Sequence, residues 1–187
     1  MTNQVYEAVR TLMAVREYQD KEIPHEALRR IVEAAHLTAS AANRQQWHFV
    51  LVQDRERLRK LGSLVRTGPY TANAAAAVIV AYEKESHSGV SDASRAIQSM
   101  MLAAWGDGVG SNWTGLTGID AVREEFGIPD SYDVLAVLPF GYPKRRSSAG
   151  RSANRSTRWC RRSGSEPPSP ELDSSLWRTG FARPQPA

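Results

Sequence analysis

As far as residue 143 the chain alternates apolar positions at helical spacing with short apolar runs suited to buried strands, and beyond it both patterns vanish. Val5, Val9, Leu12 and Met13 line one face of a first helix behind Thr2, a residue type that caps helix starts. Leu28, Ile31, Val32 and Ala35 recur at helical spacing after Pro24, which suits a first turn. Asp54 is placed to cap a helix carrying Leu58, Leu61, Leu64 and Val65. The clearest helix begins near Asp92, bears Ala93, Ala96, Ile97, Met100, Met101, Ala104 and Trp105 on one wide stripe, and stops at Gly106, Gly108 and Gly110. A stripe that wide predicts a central, buried helix. A short helix over 120–126 closes at Gly127 and Pro129, and strands are predicted over 48–53, 76–82, 109–113 and 134–140. Helices outnumber strands, so the expected fold class is α+β, with helices layered around one small sheet.

At 187 residues the chain is long enough for one domain and an extension, and short for two domains. Its longest apolar stretch, 74–82, suits a buried strand and is too short for a membrane span, and no signal peptide is read at the start. The single cysteine, Cys160, excludes a disulfide framework, a cysteine-based zinc site and a Cys-x-x-Cys redox pair. A soluble, cytoplasmic protein is expected. The net charge of +4 suggests nucleic acid until its placement is considered. Residues 144–187 hold 10 of the 24 Lys and Arg but only 3 of the 20 Asp and Glu, which leaves the first 143 residues mildly acidic. No basic stripe that could track phosphates runs through that body.

Candidate chemistry concentrates in the stretch Thr38-Ala39-Ser40-Ala41-Ala42-Asn43-Arg44-Gln45-Gln46-Trp47-His48-Phe49, where a helix pattern breaks into small and amide residues just before a strand. Ser, Asn and Gln offer neutral donors and acceptors suited to a planar heterocycle or sugar hydroxyls, and the small residues beside them permit close approach; a capped helix-to-strand turn has the same composition. His25, His36, His48 and His87 stand in no metal spacing, and no nucleophile elbow marks a serine. The glycines of Gly106-Asp107-Gly108-Val109-Gly110 follow a helix and precede a strand, the reverse of a dinucleotide turn, and read as a helix stop. Arg16 alone reads as a surface charge, and Thr117 and Gly118 as a loop before the short helix.

Together these segments carry more than each does alone. A helix ending in Val15-Arg16-Glu17-Tyr18, the loop with Ser40, Asn43, Gln45 and Trp47, then Asp92-Ala93-Ser94-Arg95-Ala96-Ile97-Gln98, Gly118-Ile119-Asp120 and Phe140-Gly141-Tyr142-Pro143 resemble, in content and order, the nitroreductase family of flavin enzymes. The resemblance spans residues 4–143. It implies a mixed, mainly antiparallel sheet and a homodimer with FMN in clefts at the subunit interface. It further implies hydride transfer from NADH or NADPH through flavin N5 to a small-molecule acceptor such as a nitroaromatic or quinone, in a ping-pong cycle. The protein would then position and tune the flavin without a conventional catalytic acid or base, and no metal, nucleic acid or membrane is implied. Arg16 matches the basic residue at the flavin pyrimidine edge, where positive charge stabilises the reduced anion. Ser40, Asn43 and Gln45 match the stretch a partner subunit lays against the cofactor, and Leu116, Thr117 and Gly118 match the segment whose backbone faces N5. A catalytically impaired or flavin-poor protein of the same fold, and a flavin-dependent dehalogenase-type enzyme, are the alternatives.

Leu12-Met13-Ala14 stand where the family has Arg-Arg-Ser or similar groups that contact the FMN phosphate, and Ala39 and Gln46 stand where proline is common. If one helix carried both, Arg10 would lie about 240° around the axis from Arg16 and could not replace the missing groups. The chain therefore divides into a flavin domain, 1–143, and an aberrant Arg-, Ser- and Pro-rich tail, 144–187, expected to be disordered. Ordinary codons for residues 144–167 can be chosen so that reading two bases later yields APVVGRAERKPLDEVVPAERFGT, a string that resembles the family's own C-terminal tail. The tail is accordingly read as out of frame, through a sequencing error or a real mutation. An Arg- and Ser-rich arm that binds nucleic acid or an acidic partner is the rival reading.

Overall fold

A computed structural model describes residues 3–115 and 119–145 of the chain. The tail from residue 146 onward, and with it the expectation of disorder there, lies outside the described residues, as do Thr2, Leu116, Thr117 and Gly118. The element order is α1 (Gln4–Thr11), α2 (His25–His36), β1 (Trp47–Val52), α3 (Arg55–Leu64), β2 (Ala76–Glu83), α4 (Gly89–Gly106), β3 (Gly110–Ser111), α5 (Asp120–Glu125) and β4 (Tyr132–Gly141). Short 3₁₀ turns at Ala41–Asn43 and Pro69–Asn73 precede β1 and β2.

Four strands form one sheet in the order β1-β2-β4-β3, every neighbouring pair antiparallel. Among the described residues the only parallel pairing is an isolated bridge of Ala14 to Ser111 beyond β3. β2 is central and buried on both faces, which is why its sequence is a continuous apolar run without alternation. Ala76, Val78 and Val80 face a core built with α2 and α4, whereas Ala77, Ile79 and Ala81 face a second core with α3 and α5. A register shift between Val80 and Ala81 puts Val134 in the second core and Ala136 in the first, although both are even-numbered positions of β4. The described residues thus form a helix–sheet–helix sandwich.

Local chemistry explains most of the element boundaries. Asp54 caps α3 by accepting the Arg57 N–H at 2.9 Å, as its position predicts. Gly127, at φ +66°, closes α5. α4 begins three residues before Asp92 and buries Ala93, Ala96, Ile97, Met100 and Ala104 against α2 and the sheet. β3 is shorter than the predicted 109–113, because only Gly110 and Ser111 find partners on β4. α1 departs furthest from expectation. Its cap is Asn3, whose Oδ1 accepts the Tyr6 N–H at 3.1 Å, it ends at Thr11, and none of its residues is buried. Val5, Tyr6 and Val9 are 69%, 59% and 51% exposed, so the apolar stripe of α1 faces away from this chain's core. Among the described residues no helix is long and apolar enough to cross a membrane.

Candidate active site

The polar loop before β1 is built on a strained backbone. Ala42, Asn43 and Gln45 have φ of 50°, 54° and 53°, a left-handed conformation that costs a residue with a side chain about 1–2 kcal/mol and that Asn tolerates best. Local bonds hold this shape. Ser40 Oγ accepts the Gln45 N–H at 3.0 Å, and Gln45 Nε2 donates to Asn43 Oδ1 at 3.0 Å. At the strand end, Gln46 Nε2 donates to Glu83 Oε2 at 2.6 Å and Gln46 Oε1 accepts from Ser86 Oγ at 2.8 Å. The structure therefore brings Ser40, Asn43 and Gln45 together in one compact polar loop, with the exposed Arg44 between the two amides.

Sequence reasoning missed what ties this loop to the body. Asp92, fully buried in the first turn of α4, accepts the Ala41 N–H on Oδ2 at 3.0 Å and pairs through Oδ1 with Arg95. Burial works to raise the Asp92 carboxyl, but the Ala41 N–H, Ser88 and Arg95 together outweigh it and hold it below its ordinary value. An acidic residue in a helix's first turn is favourable through the helix dipole alone. The sequence therefore carries no signal that Asp92 also reaches residue 41.

Arg16 sits elsewhere, and not at the end of a helix as expected. α1 stops at Thr11, Leu12 is buried, and the chain continues as an extended segment along the sheet edge. Val15 N–H donates to Ser111 O at 2.9 Å, Gln19 N–H to Tyr142 O at 2.8 Å, and Lys144 N–H to Glu17 O at 3.0 Å. Tyr18 pins the segment with a buried ring and an O–H that donates to Val15 O at 2.7 Å. Burial pushes this phenol far up, Tyr70 adds to the effect, and Arg16 opposes it. The 240° relation between Arg10 and Arg16 falls away, since no common helix carries them. Arg10 instead forms a 2.6 Å ion pair with Glu7, while Arg16 is exposed and makes no ion pair among the described residues.

The third candidate group, Leu116, Thr117 and Gly118, lies outside the described residues. Its approach is fixed on one side by Gly115, at φ +101°, whose N–H donates to Thr67 Oγ1 at 3.2 Å.

Sheet topology places the two described groups at diagonally opposite corners. The loop enters β1 at Trp47, in the row of Tyr82 and Asp133, whereas the Arg16 segment joins beyond β3 in the row of Ser111 and Phe140. Three to four strand spacings of about 4.8 Å separate them sideways, since the Arg16 segment pairs with Ser111 of β3 and with Pro143 beyond β4, and about seven to ten residues of strand, roughly 23–33 Å, separate them lengthwise.

The donor set suits a flavin ring: an exposed guanidinium at Arg16 for an electron-rich edge, and a closely approachable loop whose Ser40, Asn43 and Gln45 offer uncharged donors and acceptors for a face. For the phosphate the fit is poorer. Leu12 is turned into the core, Ala14 has no donor, and Arg10 is engaged by Glu7.

Comparison with known proteins identifies the family and the fold. The profile of the Nitroreductase family matches residues 9–91 and 69–142. A protein of Methanothermobacter thermautotrophicus, provisionally named NADH dehydrogenase/NAD(P)H nitroreductase, is 36% identical over 147 residues, covering 74% of this chain and 77% of its own length. The crystal structure of a protein given the same provisional name, from Parabacteroides distasonis, superposes with a TM-score of 0.80 at 27% identity, over 87% of this chain and 99% of its own. An FMN-dependent nitroreductase of Clostridium difficile superposes with a TM-score of 0.72 at 28% identity, over 76% and 89%. With the family's segments in order and its fold reproduced, the chain belongs to the nitroreductase family of NAD(P)H-dependent flavin oxidoreductases.

Proposed function

We propose that two copies of this chain form two FMN sites in the cytoplasm, each with Arg16 from one copy and the loop of Ser40, Asn43 and Gln45 from the other. The reading is carried by the diagonal separation of these groups within one chain, which a second copy resolves. When bound, FMN supplies hydride acceptance from NADH or NADPH and delivery to a small acceptor such as a nitroaromatic or quinone. Arg16 holds positive charge at the pyrimidine edge on a rigid extended segment, so little reorganisation accompanies the change in flavin charge. The partner's loop presents neutral donors and acceptors and excludes water from one side. Leu116, Thr117 and Gly118 supply backbone groups on the N5 side.

The exposed apolar stripe of Val5, Tyr6 and Val9 supports the dimer. Residues 144–187 are proposed to be out of frame, which the end of the family match at residue 142 supports. A second reading, the same fold with weak flavin retention, is favoured by the phosphate positions, where Leu12, Met13 and Ala14 offer no charge.

Visible absorbance of the purified chain on a sizing column, before and after adding FMN, tests these readings. A yellow dimer supports the flavin enzyme. A colourless product that becomes a yellow dimer when the shifted frame is restored assigns the weakness to the tail. Failure of both forms to bind FMN overturns the proposal.

A further inference from the structure

We propose that Asp92 is the positioning residue of the flavin-facing loop, its buried carboxylate holding Ala41 so that Ser40, Asn43 and Gln45 are presented in one fixed shape to the cofactor of the other subunit. This rests on the two-copy flavin reading above.

The strained positions Ala42, Asn43 and Gln45 follow Ala41 directly, so the Ala41 N–H is the point at which the rest of the protein can hold the loop in its left-handed form. Bonds within the loop, Ser40 to Gln45 and Gln45 to Asn43, define its shape but do not place it. Placement comes from Asp92 at Ala41 and from the Glu83 and Ser86 pair at Gln46, while Thr38, where the stretch begins, donates from Oγ1 to Ser99 Oγ on α4 at 2.7 Å. The Asp92 end is the stiffer. Its carboxylate is fully buried, sits on the central helix and is itself fixed by Arg95. Both ends use a carboxylate acceptor, so the difference lies in burial: Asp92 is fully enclosed, whereas Glu83 is only partly buried. Because α4 also packs on the sheet that carries the Arg16 segment, Asp92 ties one half of the site to the scaffold of the other.

Two measurements on the full chain test this, one of them independent of flavin. Arg44 is exposed in the loop, so the rate of trypsin cleavage after it, read by fragment mass, reports the loop's order directly. Asp92→Ala is expected to accelerate this cleavage and weaken FMN binding, each about tenfold or more, the scale of losing a charge-assisted bond. Asp92→Asn, which keeps an acceptor oxygen for Ala41 but loses the charge that Arg95 and the Ala41 N–H share, is expected to give intermediate, still accelerated cleavage and intermediate FMN binding, and carries the test if the alanine variant does not fold. Leu58→Ala, a cavity in the opposite core, is expected to lower the melting temperature without selective cleavage at Arg44. Mixed dimers of Asp92→Ala with Arg16→Gln are expected to bind one FMN per dimer at wild-type affinity, because one site then receives both intact contributions. Unchanged cleavage at Arg44 in Asp92→Ala and Asp92→Asn overturns the assignment of Asp92 whether or not flavin binds. Altered cleavage with no FMN binding in any form, the wild type included, overturns the flavin reading instead.

Discussion

Tyr18 lies against Gly141 so closely that a Cβ added to the glycine would sit 2.7 Å from Tyr18 Cδ1. Gly110 has the same relation to Val15, whose Cγ2 would be 2.5 Å from an added Cβ. Two glycines at the end of the sheet therefore make room for the extended segment that carries Arg16. Gly141→Ala is expected to displace the Tyr18 ring and cost about 1–3 kcal/mol, the scale of overpacking a filled site. Urea unfolding measures this, and an unchanged midpoint would show that the ring yields freely.

Replacing Arg16 separates binding from folding. The side chain is exposed and unpaired among the described residues, so Arg16→Gln is expected to leave the melting temperature of the flavin-free protein unchanged while weakening FMN about tenfold to a hundredfold. Arg16→Lys, which keeps the charge but not the planar fork, is expected to fall between. Flavin fluorescence titration reads both.

The apolar stripe of α1 gives a prediction about assembly. Val5, Tyr6 and Val9 contribute little to this chain's own core, so Val5→Glu with Val9→Glu is expected to cost a folded monomer less than about 0.5 kcal/mol. In the dimer the same charges would be buried without partners. Sedimentation is expected to show dimers for the wild type and monomers for the double variant.

Acid sensitivity follows from Asp92. Its folded-state value is depressed below the ordinary aspartate value of about 4, so its contribution to stability is fully present above that pH and is lost as pH falls through the lower folded value. The stability gap between wild type and Asp92→Asn is expected to be constant from about pH 7 to 5 and to shrink from about pH 4 downward. Denaturation midpoints across that range decide it. A gap that widens on acidification would reverse the sign.

Coding DNA tests the tail. A single- or two-base difference near the codon for Pro143, relative to a frame that reads APVVGRAERKPLDEVV, is expected. The protein from the restored frame is expected to bind FMN more tightly and dimerise at lower concentration than the chain as given.

Much of the scaffold was legible because it depends on neighbours in sequence. Asp54 reads as a cap because its partner is three residues away, β2 as a buried strand because its whole length is apolar, and the end of α4 as a stop because glycine leaves helices readily. The loop of Ser40, Asn43 and Gln45 was legible for the same reason, as a local clustering of small amides.

Tertiary structure alone decided what depended on distant partners. Helical spacing showed that α1 is amphipathic but not that its apolar face looks outward, since periodicity records a stripe and not what covers it. It also continued the helix toward Arg16, where bonds to Ser111 and Tyr142 pull the chain out as an extended strand. The buried tie from Asp92 to Ala41 crosses 51 positions, and the diagonal separation of Arg16 from the loop exists only once four strands take their order. Local propensity acts over a few residues, whereas pairing across a sheet is settled by which surfaces can be buried together; the sequence alone thus determined the parts, and the fold determined that the Arg16 segment and the loop of Ser40, Asn43 and Gln45 lie apart within one chain.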